Sequence, residues 1–369
     1  MECCNSLIRL LECLLVALTR EESCVSVANK QIEGLFVLAL VWSVGATIDE
    51  KGREVFNKFI QMLMRNNYDE LSLSREYDEF VLKTPGYKES IPCKISGIFI
   101  DPDEINCSIY DFFFDAKNTR WIHWTKVSKL EYTIPDNASF QSIVVPTIDT
   151  VRHDWLLGQL ISNNFNALVT GNTGTGKSVT VKKILKTGLD ATKYSNIIMN
   201  FSARTTASQA QDLIDSKLLK RRKGVFGPEV GLRCVVFIDD LNMPAKEEYG
   251  AQPPIELLRQ WMDHAGWYNR KENVYRQLVD IQFIGAMAPP GGGRTQITQR
   301  YMRHFNVFNF LPFRNDSLEH VFSVIINWFL GKGFSDDVKD VAQPLVSGTV
   351  NVYNKVSAAL LPTPAKSHY

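Results

Sequence analysis

The stretch Gly171-Asn172-Thr173-Gly174-Thr175-Gly176-Lys177-Ser178 places three glycines, a lysine and a hydroxyl at the spacing GxxxxGK[ST]. Glycines free a backbone to curl so that successive N–H groups converge on phosphate oxygens, and a following helix adds the positive end of its dipole. Lys177 is placed to reach the terminal phosphates, and Ser178 to offer its hydroxyl to Mg²⁺. Thr173, Gly174, Thr175, Gly176 and Val179 complete the loop and first helical turn expected around the ligand. The pattern gains specificity between a strand and a helix, and it has both: apolar Ala167 to Thr170 before it, helical Lys177 to Lys186 after it. A chance match in a Gly/Thr-rich loop is the competing reading, and the flanking elements weigh against it. The expected ligand is ATP with Mg²⁺.

Two further stretches carry charge in useful places. Val235-Val236-Phe237-Ile238-Asp239-Asp240 reads as a buried apolar strand that ends in two carboxylates. Asp239 suits a metal reached through its water shell, so Ser178 and Asp239 form the expected metal pair. Arg300 and Arg303 lie three apart before a strand near Asn306, a spacing that puts both on one helical face. A pair of surface arginines is the bland alternative. His123, His153, His264 and His304 stand without metal-ligand spacing.

These groups need a scaffold, and the chain has the length for one. Its 369 residues suit about two domains, and 45% hydrophobic with 22% charged residues is ordinary globular composition. A formal charge of +1 gives no reason to expect nucleic acid or an acidic membrane as partner. Seven cysteines, four of them by residue 24, lack paired CxxC spacing and read as reduced thiols. The apolar run Leu7 to Leu18 is interrupted by Arg9 and Glu12 and is shorter than the roughly 20 residues a span needs. An amphipathic helix and a cytosolic compartment are expected.

From Val145 onward strands and helices alternate. The expected strands are Ala167 to Thr170, Asn196 to Phe201, Cys234 to Ile238, Ile281 to Ala286 and Asn306 to Leu311. Helices are expected at Asp149 to Ser162, Lys177 to Lys186, Thr206 to Leu219 and about Pro254 to His264. Such alternation argues a mostly parallel sheet covered on both faces. After Pro312 the pattern is helical to Leu361. The run Lys220-Arg221-Arg222-Lys223 reads as a solvated helix end or loop.

Before Val145 the character differs. Ile32, Leu35, Phe36, Ala39 and Leu40 recur at helical spacing, as do Val55, Phe56, Phe59, Ile60 and Leu63. Short β-prone pieces follow at Ile95 to Ile100, Ser108 to Phe114 and Arg120 to Trp124. Turn signals Asp101-Pro102-Asp103 and Ala116-Lys117-Asn118 divide them. The aromatics of Trp121-Ile122-His123-Trp124 are expected to pack a small β insert rather than to form a binding platform.

Long motifs make a family recognisable. Ile143 to Arg152, Gly171 to Ser178, Phe237 to Lys246, Tyr249 to Trp261 and Pro289 to Arg294 resemble a dynein heavy chain of the axonemal type, in the third AAA+ module of its ring. Leu360 to Tyr369 resembles the small helical subdomain of that module. Residues 1 to about 85, with Ile32-Glu33-Gly34-Leu35-Phe36 and Trp42-Ser43-Val44-Gly45, resemble the closing helices of the second module. The resemblance implies an α/β fold: a P-loop AAA+ large subdomain, with its parallel sheet between helices, flanked by helical small-subdomain pieces and a small β insert. The implied segments are 1–85 (end of the preceding module), 86–142 (β-rich connector), 143–313 (large subdomain) and 314–369 (start of the small subdomain).

Roles follow by the same resemblance. Val145 and Pro146 lie beside the adenine. Asp239 and Asp240 stand at the catalytic strand end, and Arg300 and Arg303 act as fingers on a neighbouring module's ATP. Two positions depart from the AAA+ pattern. Asp240 stands where a glutamate polarises the attacking water, and Ala288 where a polar side chain, often Asn, meets the γ-phosphate. Slow hydrolysis is therefore expected. Implied partners are the adjacent modules of the ring and, only through a full-length chain, intermediate and light chains and microtubules. The implied location is the cytoplasm and cytoskeleton, in a ciliary or flagellar axoneme. With no stalk, linker, first or fourth module recognisable, the chain reads as part of a heavy chain that does not walk by itself. An active AAA+ ATPase of ordinary turnover and a structural ring spacer with permanently held nucleotide are the alternatives.

Overall fold

A computed structural model describes residues 2–16, 25–64, 107–127, 132–140 and 143–360. Within these the chain divides into two units, Met1–Lys129 and Leu130–Tyr369. In the first, α1 (Glu2–Val16) buries Leu10, Cys13 and Leu14, the three-and-four spacing of an amphipathic helix. In α2 (Val25–Ser43) the buried residues include Leu35, Leu38, Ala39 and Trp42. Of the expected apolar stripe Leu35 and Ala39 are buried, whereas Ile32 and Phe36 are exposed, so the buried face is turned from the expected one. The reason lies at Gly34, where an added Cβ would come within 2.2 Å of the Phe114 ring. Glycine lets that aromatic approach, and the helix turns this side inward. In α3 (Glu50–Met64) Ile60 is buried and Val55 is exposed.

A hairpin of β1 (Phe112–Asp115) and β2 (Arg120–His123) leads into the short α4 (Trp124–Val127). The strand expected at Ser108 to Phe114 starts later, because Ser108 caps a 3₁₀ turn over Ile109–Asp111. Trp42 meets Tyr110 and Trp124 edge to face, and the Tyr110 hydroxyl donates to Gly45 O at 2.7 Å. The aromatics thus pack a core, with Phe112 and Trp124 fully buried. Helices and hairpin share this core inside one unit. The strand expected at Ile95 to Ile100, the turn at Asp101 to Asp103 and the motif residues after Leu360 lie outside the described residues.

The second unit is built on five parallel strands: β3 (Ala167–Gly171), β4 (Tyr194–Asn200), β7 (Arg233–Asp239), β10 (Ile281–Met287) and β11 (Asn306–Phe310). Their order across the sheet is β11-β3-β10-β7-β4. Strands β7 and β10 are buried almost end to end, which is why they read as unbroken apolar runs. The flanking helices are α5 (Ile148–Ser162), α6 (Lys177–Lys183), α7 (Ala207–Asp215), α8 (Pro253–His264) and the short α9 (Gln299–Met302). A π turn at Ile184–Gly188 prolongs α6. The α/β reading of the sequence holds.

Between these elements stands a smaller sheet in the order β5-β6-β9-β8. It comprises β5 (Leu219–Arg222), β6 (Val225–Gly227), β8 (Gly266–Tyr268) and β9 (Tyr275–Leu278). Lys220 to Lys223 is therefore not a helix end but strand β5 and the start of its turn. Helix α7 stops at Asp215, and Leu219 already pairs with Gly227. Arg221 sits 2.8 Å from Asp280 and donates to Pro228 O, while Lys220, Arg222 and Lys223 are exposed. Pairing of the polar strand to β6 overrides its unremarkable local pattern. Beyond β11 the chain is helical, in α10 (Asn315–Leu330), α11 (Asp336–Lys339) and α12 (Ala342–Ala359). Among the described residues no helix is long and apolar enough to cross a membrane.

Candidate functional site

The parallel sheet aims the carboxyl ends of β3, β7 and β10 at one place, as open α/β sheets do at their ligand crevices. Strand β3 ends in Gly171, whose φ of +146° is open to glycine. A Cβ there would stand 2.5 Å from Phe310 O. The loop then turns through Gly174 and Gly176, both at positive φ, and Gly176 is the N-cap of α6. This is the curled loop and helix start expected for phosphate.

A cleft of about 330 Å³ opens over the loop. Of the expected ligand residues, Thr173, Gly174, Gly176, Lys177, Ser178 and Val179 line it, facing Asp239 and Asp240. Gly171 and Thr175 lie behind the lining, and Thr175 Oγ1 donates to Asn172 O at 2.9 Å to brace the turn. Lys177 Nζ folds onto the loop, donating to Gly171 O at 2.8 Å and to Asn172 O. Burial pushes the Lys177 pKa down, Arg294 pushes the same way, and Asp239 and Asp240 oppose both.

Asp239 is held on both oxygens. Ser178 Oγ donates to Oδ1 at 2.7 Å, and Lys182 Nζ stands 3.0 Å from Oδ2. Ser178 and Lys182 are four apart on α6 and so share a face. Sequence reasoning missed Lys182, although that spacing from Ser178 was its visible signal. Asp240 sits at φ +52°, a left-handed conformation that Asp tolerates better than most residues. Its N–H donates to Asp239 Oδ1 at 3.2 Å, and its half-exposed carboxylate lies 3.9 Å from Arg294 Nη2.

The donor set fits Mg²⁺. Ser178 Oγ and Asp239 Oδ1 are hard oxygens already within hydrogen-bond distance of each other. Among the described residues no cluster of three or more His, Cys, Asp or Glu side chains forms a metal cage. One carboxylate and one hydroxyl, completed by phosphates and water, are what Mg²⁺ takes in nucleotide sites.

Two family models match the chain. One, described as "P-loop containing dynein motor region", matches residues 132–313, and the other, "Dynein heavy chain AAA lid domain", matches residues 1–126. Mouse dynein axonemal heavy chain 1 is 42% identical over 383 residues, covering 99% of this chain and 9% of the relative. Mouse dynein axonemal heavy chain 12 is 42% identical over 336 residues, covering 90% and 10%. Mouse dynein axonemal heavy chain 3 is 41% identical over 340 residues, covering 92% and 8%. The chain belongs to the dynein heavy chain family. It spans about a tenth of the length of these relatives.

Set in a dynein motor region, the remaining expected residues fall in two places. Val145 is buried, and with Pro146 it precedes Thr147, the N-cap of α5, whose Oγ1 accepts from Thr150 N at 3.2 Å. Neither Val145 nor Pro146 lines the cleft. Arg300 lies on α9 and is exposed, and Arg303 is the C-cap residue of that helix. Both stand outside the cleft lining. Arg303 Nη2 donates to Asp263 Oδ1 at 2.6 Å, and His304 Nε2 lies 3.0 Å from the same oxygen. Burial raises the Asp263 pKa, but Arg303, His304 and Arg259 more than offset it and hold the carboxyl below its ordinary value. Ala288, just past the end of β10, is buried and gives its carbonyl to Asn242 Nδ2 at 2.7 Å.

Proposed function

We propose that this chain is an ATP-binding AAA+ module of an axonemal dynein heavy chain that hydrolyses ATP slowly. In the full-length chain it would contribute to ATP-driven motility on microtubules, within a ciliary or flagellar axoneme. The observation that carries the reading is the Ser178–Asp239 contact in the lining of the cleft, with Lys177 and the curled loop beside it. Loop N–H groups and Lys177 bind and orient the phosphate chain. Ser178 and Asp239 would hold Mg²⁺, which supplies charge neutralisation on the phosphates. Asp240 accepts the proton of an attacking water, from a side chain one methylene shorter than glutamate. The names of the relatives support the axonemal setting, and neighbouring ring modules are the direct partners it implies. Intermediate and light chains would associate only through the full-length chain.

Chelation tests the metal roles. With EDTA present, ATP affinity of the chain is expected to fall at least about 10-fold and ADP affinity far less, as read by calorimetry. The reason is that a Ser178–Asp239 site is completed by the outer phosphates. Equal losses for the two nucleotides would count against the assignment, and no binding of either would overturn the nucleotide-binding reading itself.

The finger reading is tested by charge removal. Arg300→Ala and Arg303→Ala in the isolated chain are expected to leave ATP affinity within about 2-fold, because both side chains stand outside the cleft. Arg303→Ala also breaks the Asp263 ion pair, an exposed contact whose loss is expected to cost about 0.2–1 kcal/mol. A marked loss of ATP affinity in the monomer would make these residues ligands of their own site.

A further inference from the structure

Arg294 lines the nucleotide cleft together with Ala288 and Asp240. Its side chain is 16% exposed, so the charge sits largely out of water. Nε is buried and, among the described residues, takes no hydrogen-bond partner. Among the described residues Nη2 meets Asp240 Oδ1, at 3.9 Å, beyond hydrogen-bonding range. A desolvated guanidinium with unspent donors is costly unless an anion completes it. Lys177 and Arg294 are the two cations of the cleft lining, and Lys177 lies close enough to feel the Arg294 charge.

The backbone presents this side chain without help from it. Gly291 and Arg294 form a two-way bridge, with N–H to O distances of 3.1 and 3.0 Å. On the other side, Thr295 N and Oγ1 both donate to Asn242 O, at 2.9 and 3.1 Å, and Gln252 Nε2 donates to Thr295 Oγ1 at 2.6 Å. Asn242 in turn donates to Ala288 O. The loop is thus pinned to the segment that follows Asp240, and all of these bonds survive if the Arg294 side chain is cut away. A donor aimed by a rigid frame is what electrostatic stabilisation of a phosphate requires.

We propose that Arg294 is a ligand of the terminal phosphate of the bound nucleoside triphosphate, supplying from its own module the polar contact that Ala288 cannot make. Without that phosphate the guanidinium rests against Asp240. With it, the forked donors turn to the phosphate oxygens and Asp240 is released to face water. The site thereby distinguishes triphosphate from diphosphate. This role rests on the nucleotide-binding reading above.

The test measures affinities of the 369-residue chain for Mg²⁺–ATPγS and Mg²⁺–ADP, in wild type and in Arg294→Ala and Arg294→Gln. The expected result is a loss of about 10- to 100-fold for ATPγS with ADP changed less than about 3-fold, the size of a charge-assisted bond to one phosphate. Arg294→Lys is expected to recover part of the loss, since it keeps the charge but not the fork. The Gln variant keeps much of the side-chain volume and serves if the Ala variant does not fold. Equal losses for both nucleotides, or none for either, with the wild type binding both, would overturn the role of Arg294 and leave the nucleotide site standing. A wild type that binds neither would overturn the site and this role together.

Discussion

Lys177→Ala is expected to abolish ATP binding, lowering affinity by at least about 10²-fold while the chain stays folded. A lysine at this place contributes two or more charge-assisted bonds to phosphate oxygens, each about 1.5–3 kcal/mol. Among the described residues no second lysine lines the cleft. The fold loses little, since Nζ bonds only to carbonyl oxygens and a hydroxyl of its own loop. Calorimetry with Mg²⁺–ATP reads the affinity, and a thermal melt without nucleotide reads the fold. Unchanged affinity in a folded variant would remove the loop from the site.

Asp240→Glu is expected to accelerate hydrolysis about 10-fold without changing ATP affinity. A reacting group misplaced by near 1 Å can cost about 10²-fold, so one methylene of added reach has room to act. One feature sets the gain below that ceiling. The backbone at Asp240 is left-handed, which glutamate adopts less readily than aspartate. The measurement is a steady-state rate in an intact ring with the other sites blocked. A slower or unchanged glutamate variant would mean that hydrolysis was never limited by this carboxylate.

The elements that position the site were the most legible part of the sequence. Strands β3, β7 and β10 are long apolar runs because each is covered on both faces, so pattern alone found them. The loop was legible because its glycines answer local geometry at Gly171, Gly174 and Gly176. What escaped depends on contacts between distant residues. Strand β5 is polar and short, and it exists through its pairing with β6. Hairpin strands β8 and β9 sit between a helix and a strand that left no pattern room for them. Helix α2 shows the same limit, because the face it buries is decided by Phe114, eighty residues further along at Gly34. In the site, Lys182 and Arg294 were missed for one reason. Each stands beside a carboxylate that only the fold brings to it, Asp239 at 3.0 Å and Asp240 at 3.9 Å.

The order β11-β3-β10 has a consequence for how the protein comes to exist. Both neighbours of the P-loop strand are made long after it. Asn166 Oδ1 accepts from Phe283 N, 117 residues away, and Asn166 O accepts from Asn306 Nδ2, 140 residues away. At a synthesis rate of about 5–20 residues per second, the last partner follows the loop by roughly 7–30 s. Until β10 is made Ala167, Leu168 and Val169 form an apolar strand with neither of its sheet neighbours, and until β11 is made one edge stays open to wrong partners. Closing so long a segment adds little to the final free-energy cost, because that cost grows only with the logarithm of length. It falls instead on the rate, since distant pairings form slowly. The nascent chain therefore carries its phosphate loop well before it has a phosphate site, because the cleft lining is complete only once Arg294 has been made.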